Sequence, residues 1–303
     1  VKLRKNSIFA AFVFLLLLSL SAMARADSFS SVIVYGDSLS DNGNLYSATG
    51  GVEPPSPPYY DGRFSNGPVA VEQLAAALGA PLVDFAYGGA TSGIGNYVDG
   101  GTPTSAGTYG LPGMLVELGA SSSSLPALSP STALFVVWGG ANDFLTGGST
   151  AGAVANIDTI VSTLEADGAT HILVPGMPDL GLTPDYYGSV AATDYAEAFN
   201  TQLQATLPAG ATYVDIFGLM HQIVNDPSAY GLTDVTDPCF NGSSVCSDPS
   251  QYLFWDGFHP TTTADAIVAQ DLEEATTPEP SSILMLGTGL AGLAGFLRRR
   301  RAA

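Results

Sequence analysis

Ser38 is the residue whose surroundings most resemble a reaction centre. It stands in Gly36-Asp37-Ser38-Leu39-Ser40, directly after the apolar run Val32-Ile33-Val34-Tyr35. A β-branched run ending in Gly reads as a buried strand that turns sharply. The Ser38 hydroxyl would then lie at the strand's C-terminal end, where open α/β sheets place their ligands. A serine hydroxyl is unreactive until a base takes its proton. That base is available far downstream, in Asp256-Gly257-Phe258-His259-Pro260. Ser38, Asp256 and His259 form the order Ser…Asp…His, the minimum set for acyl transfer. Asp256 would orient the His259 ring and stabilise its cation. The other two histidines read as structural: His171 opens a strand-like run, and His221 closes the apolar stretch Phe217-Gly218-Leu219-Met220. No Gly-x-Ser-x-Gly elbow surrounds Ser38, which argues against an ordinary α/β-hydrolase.

These groups need a scaffold that brings residues some 220 positions apart together. Strand-like runs recur at Ser31–Tyr35, Pro81–Ala86, Ala133–Trp138, His171–Pro175 and Ala211–Ile216. Most are continuously apolar, as strands buried on both faces must be. Helical periodicity marks Val69–Leu78, Ala153–Glu165, Tyr195–Leu207 and Thr261–Glu274 between and after them. Five strands alternating with helices predict an α/β fold with a parallel, doubly wound sheet. The Pro-rich stretch 50–60 and the Gly/Thr-rich stretch 92–113 follow strand ends. They are candidates for a substrate-binding rim or for plain surface insertions. Two further motifs fall at strand ends: Tyr87-Gly88-Gly89-Ala90-Thr91 after the second run, and Gly139-Gly140-Ala141-Asn142-Asp143 after the third. One sheet edge would thus gather a hydroxyl, a glycine backbone, a carboxamide and an Asp/His pair.

The four blocks together resemble those of the GDSL, or SGNH, hydrolase superfamily of esterases and lipases. Ser38 matches the first-block serine, Gly89 the second-block glycine, Asn142 the third-block asparagine and His259 the last-block histidine, with Asp256 as the acid three residues before it. Gly88 is the adjacent choice to Gly89. Gly62-Arg63-Phe64-Ser65-Asn66-Gly67 and Pro175-Gly176-Met177-Pro178-Asp179-Leu180-Gly181 resemble secondary blocks of the same family. The resemblance spans about residues 31–275 and implies a three-layer α/β/α sandwich on a five-stranded, mostly parallel, flavodoxin-like sheet. It implies an oxyanion hole formed by the N–H groups of Ser38 and Gly89 and the side-chain amide of Asn142. It implies no cofactor and no metal. Trp255 and Phe258 could serve the core or an acyl pocket. An acyltransferase, a polysaccharide O-deacetylase and a non-catalytic surface or matrix protein are the alternatives that the same residues leave open.

Both ends read as processing signals. Lys2, Arg4 and Lys5 precede an apolar run from Ile8 to Leu20, followed by Ala24-Arg25-Ala26, the layout of a secretory signal peptide cleaved after residue 26. At the other end, Pro278-Glu279-Pro280 precedes 17 uncharged residues and then Arg298–Arg301. This unit resembles the PEP-CTERM sorting tail of Gram-negative bacteria. The resemblance implies a transient inner-membrane tether, cut by an exosortase before release to the surface or outside. The expected organisation is a signal peptide (1–26), a hydrolase domain (27–277) and a sorting tail (278–303). Eight of the nine basic residues lie in these ends, which leaves Arg63 against 28 acids, a formal charge of −27 between residues 27 and 279. Such a surface repels nucleic acid and anionic membranes, and the expected partner is an ester of a lipid or an acylated glycan. Cys239 and Cys246, the only cysteines, lie in a short polar loop. In an exported chain they are expected to pair, free thiols being the alternative.

Overall fold

The computed structural model describes residues 28–277. Five strands, β1 (Val32–Gly36), β2 (Leu82–Asp84), β3 (Leu134–Trp138), β4 (Ile172–Pro175) and β5 (Ala211–Val214), lie in the order β2-β1-β3-β4-β5. Every neighbouring pair is parallel. This is the doubly wound, flavodoxin-like order, and its switch point lies between β1 and β3. Among the described residues eight α-helices accompany the sheet: α1 (Asn44–Ala48), α2 (Ala70–Leu78), α3 (Met114–Ser121), α4 (Ala141–Leu145), α5 (Thr150–Ala166), α6 (Val190–Thr206), α7 (Ile216–Asn225) and α8 (Thr262–Thr276).

Side-chain alternation along the strands divides the core into two halves. Val32, Val34, Leu134, Val136 and Trp138 point to one face, packed by α2, α7 and α8. Ile33, Tyr35, Phe135 and Val137 point to the other, packed by α3, α5 and α6. The three layers follow from strands that are apolar on both faces between helices that are apolar on one. The long helices begin where a serine can cap them: Ser149 accepts the N–H of Gly152 ahead of α5, and Ser189 that of Ala192 ahead of α6.

Two expected strands end early for local reasons. The run to Ala86 stops at Asp84, whose carboxylate takes the N–H of Ala86 at 2.8 Å and bends the chain. The run to Ile216 stops at Val214, because the Asp215 side chain accepts the N–H of Gly218 and starts α7. A two-stranded parallel sheet, β6 (Asp234–Pro238) with β7 (Tyr252–Phe254), does not show in the sequence, where β6 is mostly polar and β7 is only three residues long. Cys239 and Cys246 form a disulfide in the loop between these strands. The Cys239 and Phe240 N–H groups bond to the carbonyls of Phe254 and Trp255, so the cross-linked loop rests on the strand that leads into Asp256. The expected leader (1–26) and sorting tail (278–303) lie outside the described residues. Among the described residues no helix is long and apolar enough to cross a membrane.

Candidate active site

The β1–β3 register levels Gly36 with Trp138, so the loops after these strands emerge side by side at the switch point. A side chain at Gly36 would meet the Trp138 carbonyl oxygen 2.5 Å away, so glycine lets the two strand ends close up. Beyond β1, the Ser40 and Asp41 N–H groups fold back onto the Asp37 carbonyl. That turn lifts Ser38 out of the sheet while leaving it only 7% exposed.

The loop between β7 and α8 reaches Ser38 from the far end of the chain. His259 Nε2 lies 2.8 Å from Ser38 Oγ. On the other side of the ring, His259 Nδ1 is 2.8 Å from Asp256 Oδ2 and 3.0 Å from Oδ1. A carboxylate facing Nδ1 requires the proton there, which leaves Nε2 free to accept from Ser38. Asp256 Oδ1 also accepts the N–H groups of Phe258 and His259, which fixes the carboxylate against its own loop. The motif Gly62–Gly67 holds that loop from outside. Ser65 Oγ donates to the Pro260 carbonyl, Asn66 Oδ1 accepts the Thr262 N–H, and the Phe64 ring lies 4.8 Å from the His259 ring. The other two histidines stand apart from Ser38. His221 pairs with Asp179 at 3.0 Å, and His171 lies edge-on to Phe29.

Burial alone would raise the Asp256 carboxyl. The facing His259 charge and the hydrogen bonds from His259 and Tyr59 overcome it and bring it down to about 2. Burial pulls the other way on His259, toward the neutral ring, but the charge and hydrogen bond of Asp256 outweigh it and raise His259 above its ordinary value. The pair is therefore poised as carboxylate and strengthened imidazole base.

Tyr59, from the Pro-rich stretch, donates its hydroxyl to Asp256 Oδ2 at 2.6 Å. Its ring sits among Phe64, Phe240 and Trp255. Nothing in the sequence around Tyr59 marks it; only the fold brings it to a residue 197 positions away. Tyr59→Phe removes a donor that disperses the Asp256 charge. The less dispersed charge attracts the His259 cation more strongly, so the His259 pKa rises. The acid limb of the kcat/KM–pH profile is expected to move up by about half to one pH unit, with a smaller loss at the plateau. A profile that stays in place would make Tyr59 a packing residue only.

The opposite wall of the crevice comes from the loop after β2 and from α4. Gly89 has φ +79°, and a side chain there would strike Asn96 Oδ1 and Val98 within 2.6 Å. Gly88 donates its N–H to Asp41 Oδ2 at 2.7 Å. Among the described residues, the N–H groups of Ser38 and Gly89 have no hydrogen-bond partner. Asn142 Nδ2 donates to the Ala90 carbonyl at 3.0 Å and more weakly to Asp37 Oδ2 at 3.4 Å. The second amide proton is the one loosely held. Burial pushes Asp37 up to about 7, against the pull of the Leu39 N–H.

Buried acids hang this wall in place. Asp41 accepts the N–H groups of Gly43, Asn44, Leu45 and Gly88. Glu117 of α3 accepts those of Gly36 and Tyr87, joining the Ser38 strand to the Gly89 loop. Asp143 accepts both the N–H and the hydroxyl of Ser92, anchoring the start of the 92–113 stretch. In the sequence Asp41 reads as a turn or cap acid and Glu117 as an ordinary helix acid; only the fold shows that Asp41 also takes the Gly88 N–H and that Glu117 joins two loops. Among the described residues no group of His, Cys, Asp and Glu is arranged to hold a metal ion.

A Ser–His–Asp chain at the switch point of a doubly wound sheet, without the Gly-x-Ser-x-Gly elbow, defines a class of serine hydrolase distinct from the ordinary α/β-hydrolases. Residues 32–272 match the GDSL-like Lipase/Acylhydrolase family, and the chain belongs to it. Residues 276–301 match the PEP-CTERM protein-sorting motif, which implies export in a Gram-negative bacterium. The chain is 32% identical over 251 residues to a phosphatidylcholine-sterol acyltransferase of Aeromonas hydrophila, covering 78% of this chain and 73% of that one. It is 26% identical over 284 residues to a thermolabile hemolysin of Vibrio parahaemolyticus, covering 84% of this chain and 66% of that one. An alpha/beta hydrolase enzyme from the metagenome of Lake Arreo, Spain, shares the fold with a TM-score of 0.50 at 15% identity, covering 84% of this chain and 97% of that one. The protein is an enzyme that acts on ester bonds.

Proposed function

We propose that the chain hydrolyses carboxylic esters through an acyl-Ser38 intermediate. The observation that carries this reading is the continuous hydrogen-bonded series Ser38 Oγ, His259, Asp256. As Ser38 Oγ bonds to the ester carbonyl carbon, His259 Nε2 takes the hydroxyl proton. The carbonyl oxygen becomes an oxyanion facing the free N–H groups of Ser38 and Gly89 and the loosely held amide proton of Asn142. Collapse breaks the ester C–O bond, and His259 returns the proton to the leaving alcohol. Water then attacks the acyl-enzyme, with His259 again as base, and releases the acid and free Ser38. No step calls for a cofactor. The phosphatidylcholine-sterol acyltransferase relative favours a second outcome of the same cycle, in which an alcohol replaces water as acceptor. The full chain should turn over p-nitrophenyl esters and bind one organophosphonate per molecule. Absence of both would end the proposal.

We further propose that a leader ending at residue 26 exports the hydrolase domain, and that residues 278–303 tether it to the inner membrane until an exosortase cuts near Pro278-Glu279-Pro280. The apolar stretch is short for a permanent anchor, and the closing arginines would hold the C-terminus inside. Deleting Ser281–Ala303 is expected to leave esterase activity unchanged while altering where the protein accumulates, as read by cell fractionation. A folded, inactive truncation would place the tail in the catalytic domain.

A further inference from the structure

The disulfide loop reaches the catalytic acid through one ring. Phe240 follows Cys239 and lies stacked on Trp255, with ring centroids 5.8 Å apart. Tyr59 stands edge-on to both, 5.9 Å from Phe240 and 6.3 Å from Trp255. Its hydroxyl is the one that donates to Asp256 Oδ2 at 2.6 Å. These two walls of Tyr59 are held differently. Trp255 is buried, and its N–H bonds to the His259 carbonyl at 2.7 Å. Phe240 is only half-buried, and the next residues, 241–245, are all exposed. A loop with so little apolar burial belongs to the low-stability end of a structure. The strand beneath it, β6, pairs with β7 in an irregular register, and a two-stranded sheet is marginal by itself. What closes the loop is the bond between Cys239 and Cys246, seven positions apart, with the Cys246 N–H on the Cys239 carbonyl at 2.7 Å.

We infer that Phe240 is a positioning residue for the reaction: pinned by the Cys239–Cys246 disulfide, it fixes the Tyr59 ring whose hydroxyl holds Asp256, so that opening the disulfide weakens the Asp256–His259 pair. The inference rests on Ser38, His259 and Asp256 being the reacting groups. When Phe240 leaves its place, Tyr59 loses one wall and its hydroxyl spends less time on Asp256. The effect is that of a partial Tyr59→Phe. A chain whose cysteines are still thiols would therefore carry the weaker site, and such is the state in a compartment that keeps thiols reduced. Export supplies the change. By thiol–disulfide exchange the two thiols give two electrons and two protons to a partner disulfide, which becomes a dithiol, and the Cys239–Cys246 bond forms.

The test is the kcat/KM–pH profile of the full chain with a p-nitrophenyl ester, for Phe240→Ala and for the unaltered chain before and after reduction with dithiothreitol. Both changes are expected to move the acid limb up by about 0.3–0.5 pH unit, in the direction of Tyr59→Phe, with a plateau loss of about two- to fivefold. Reoxidation should restore the reduced enzyme. In the Tyr59→Phe background neither change should move the limb further, because the link it acts through is already gone. Melting curves check folding at the assay temperature, and Phe240→Leu replaces Phe240→Ala if the latter does not fold. A limb that stays in place in folded, reduced enzyme and in the folded Phe240 variant would overturn the inference and leave the esterase reading standing. So would a shift of full size in the Tyr59→Phe background. Absence of Ser38-dependent turnover in the unaltered, oxidised chain would overturn the esterase reading and the inference with it.

Discussion

Ser38→Ala is expected to abolish covalent labelling by an organophosphonate and to lower kcat by roughly 10⁶-fold. The size of the effect follows from the geometry. His259 Nε2 faces one hydroxyl, Ser38 Oγ at 2.8 Å, and without it the base has nothing to activate except water. The alanine variant should fold normally. Ser38 sits in a turn held by the Ser40 and Asp41 backbone N–H groups, so its hydroxyl supports no structure beyond the contact with His259. Residual hydrolysis by this variant would report what the oxyanion donors and binding achieve alone. Labelling that persists at another serine would remove Ser38 from the reaction. The nearby Ser40, whose buried hydroxyl has no partner, is the position to inspect.

Asp256→Asn is expected to lower kcat by on the order of 10⁴-fold and to move the pH profile downward. Only neutral His259 can accept the Ser38 proton. In the unaltered enzyme Asp256 raises the His259 pKa, so kcat/KM should climb with pH through a midpoint above the ordinary histidine value of 6.5. With the Asp256 charge gone, burial, the largest influence on the ring, is opposed only by the smaller pulls of Asp37 and Asp185 and favours the neutral form. The residual activity should then climb through a midpoint below 6.5. Measuring kcat/KM from pH 4 to 9 checks the sign, and an unmoved midpoint would contradict the assigned partnership. The same pair links stability to pH. The Asp256 pKa is lowered by folding, so its share of stability is present above the unfolded carboxylate value and is lost as pH falls toward about 2. The His259 pKa is raised by folding, so its share is present below 6.5 and is lost as pH rises through the folded value.

The sequence by itself determined the parts of this enzyme that rest on local pattern. Continuous apolar runs such as Val32–Tyr35 and Leu134–Trp138 can only be strands covered on both faces, and their alternation with amphipathic helices forces a parallel, doubly wound sheet. Ser38, Asp256 and His259 stood out as candidates because each stands in a short motif at a strand end or helix start, where the fold must place ligands. The tertiary structure decided what depends on contacts between distant segments. Gly88 and Gly89 are equivalent in sequence, and they separate only because Asp41 Oδ2, from the turn after β1, takes the Gly88 N–H and leaves that of Gly89 free. Glu117 reads as an ordinary helix acid, yet its burial against the Gly36 and Tyr87 N–H groups joins the Ser38 strand to the Gly89 loop. Tyr59 finds Asp256 through side-chain packing across the sheet edge. Periodicity reports which face of an element is buried. It carries no record of which distant atom that face will meet, because that is settled by how the layers close upon one another.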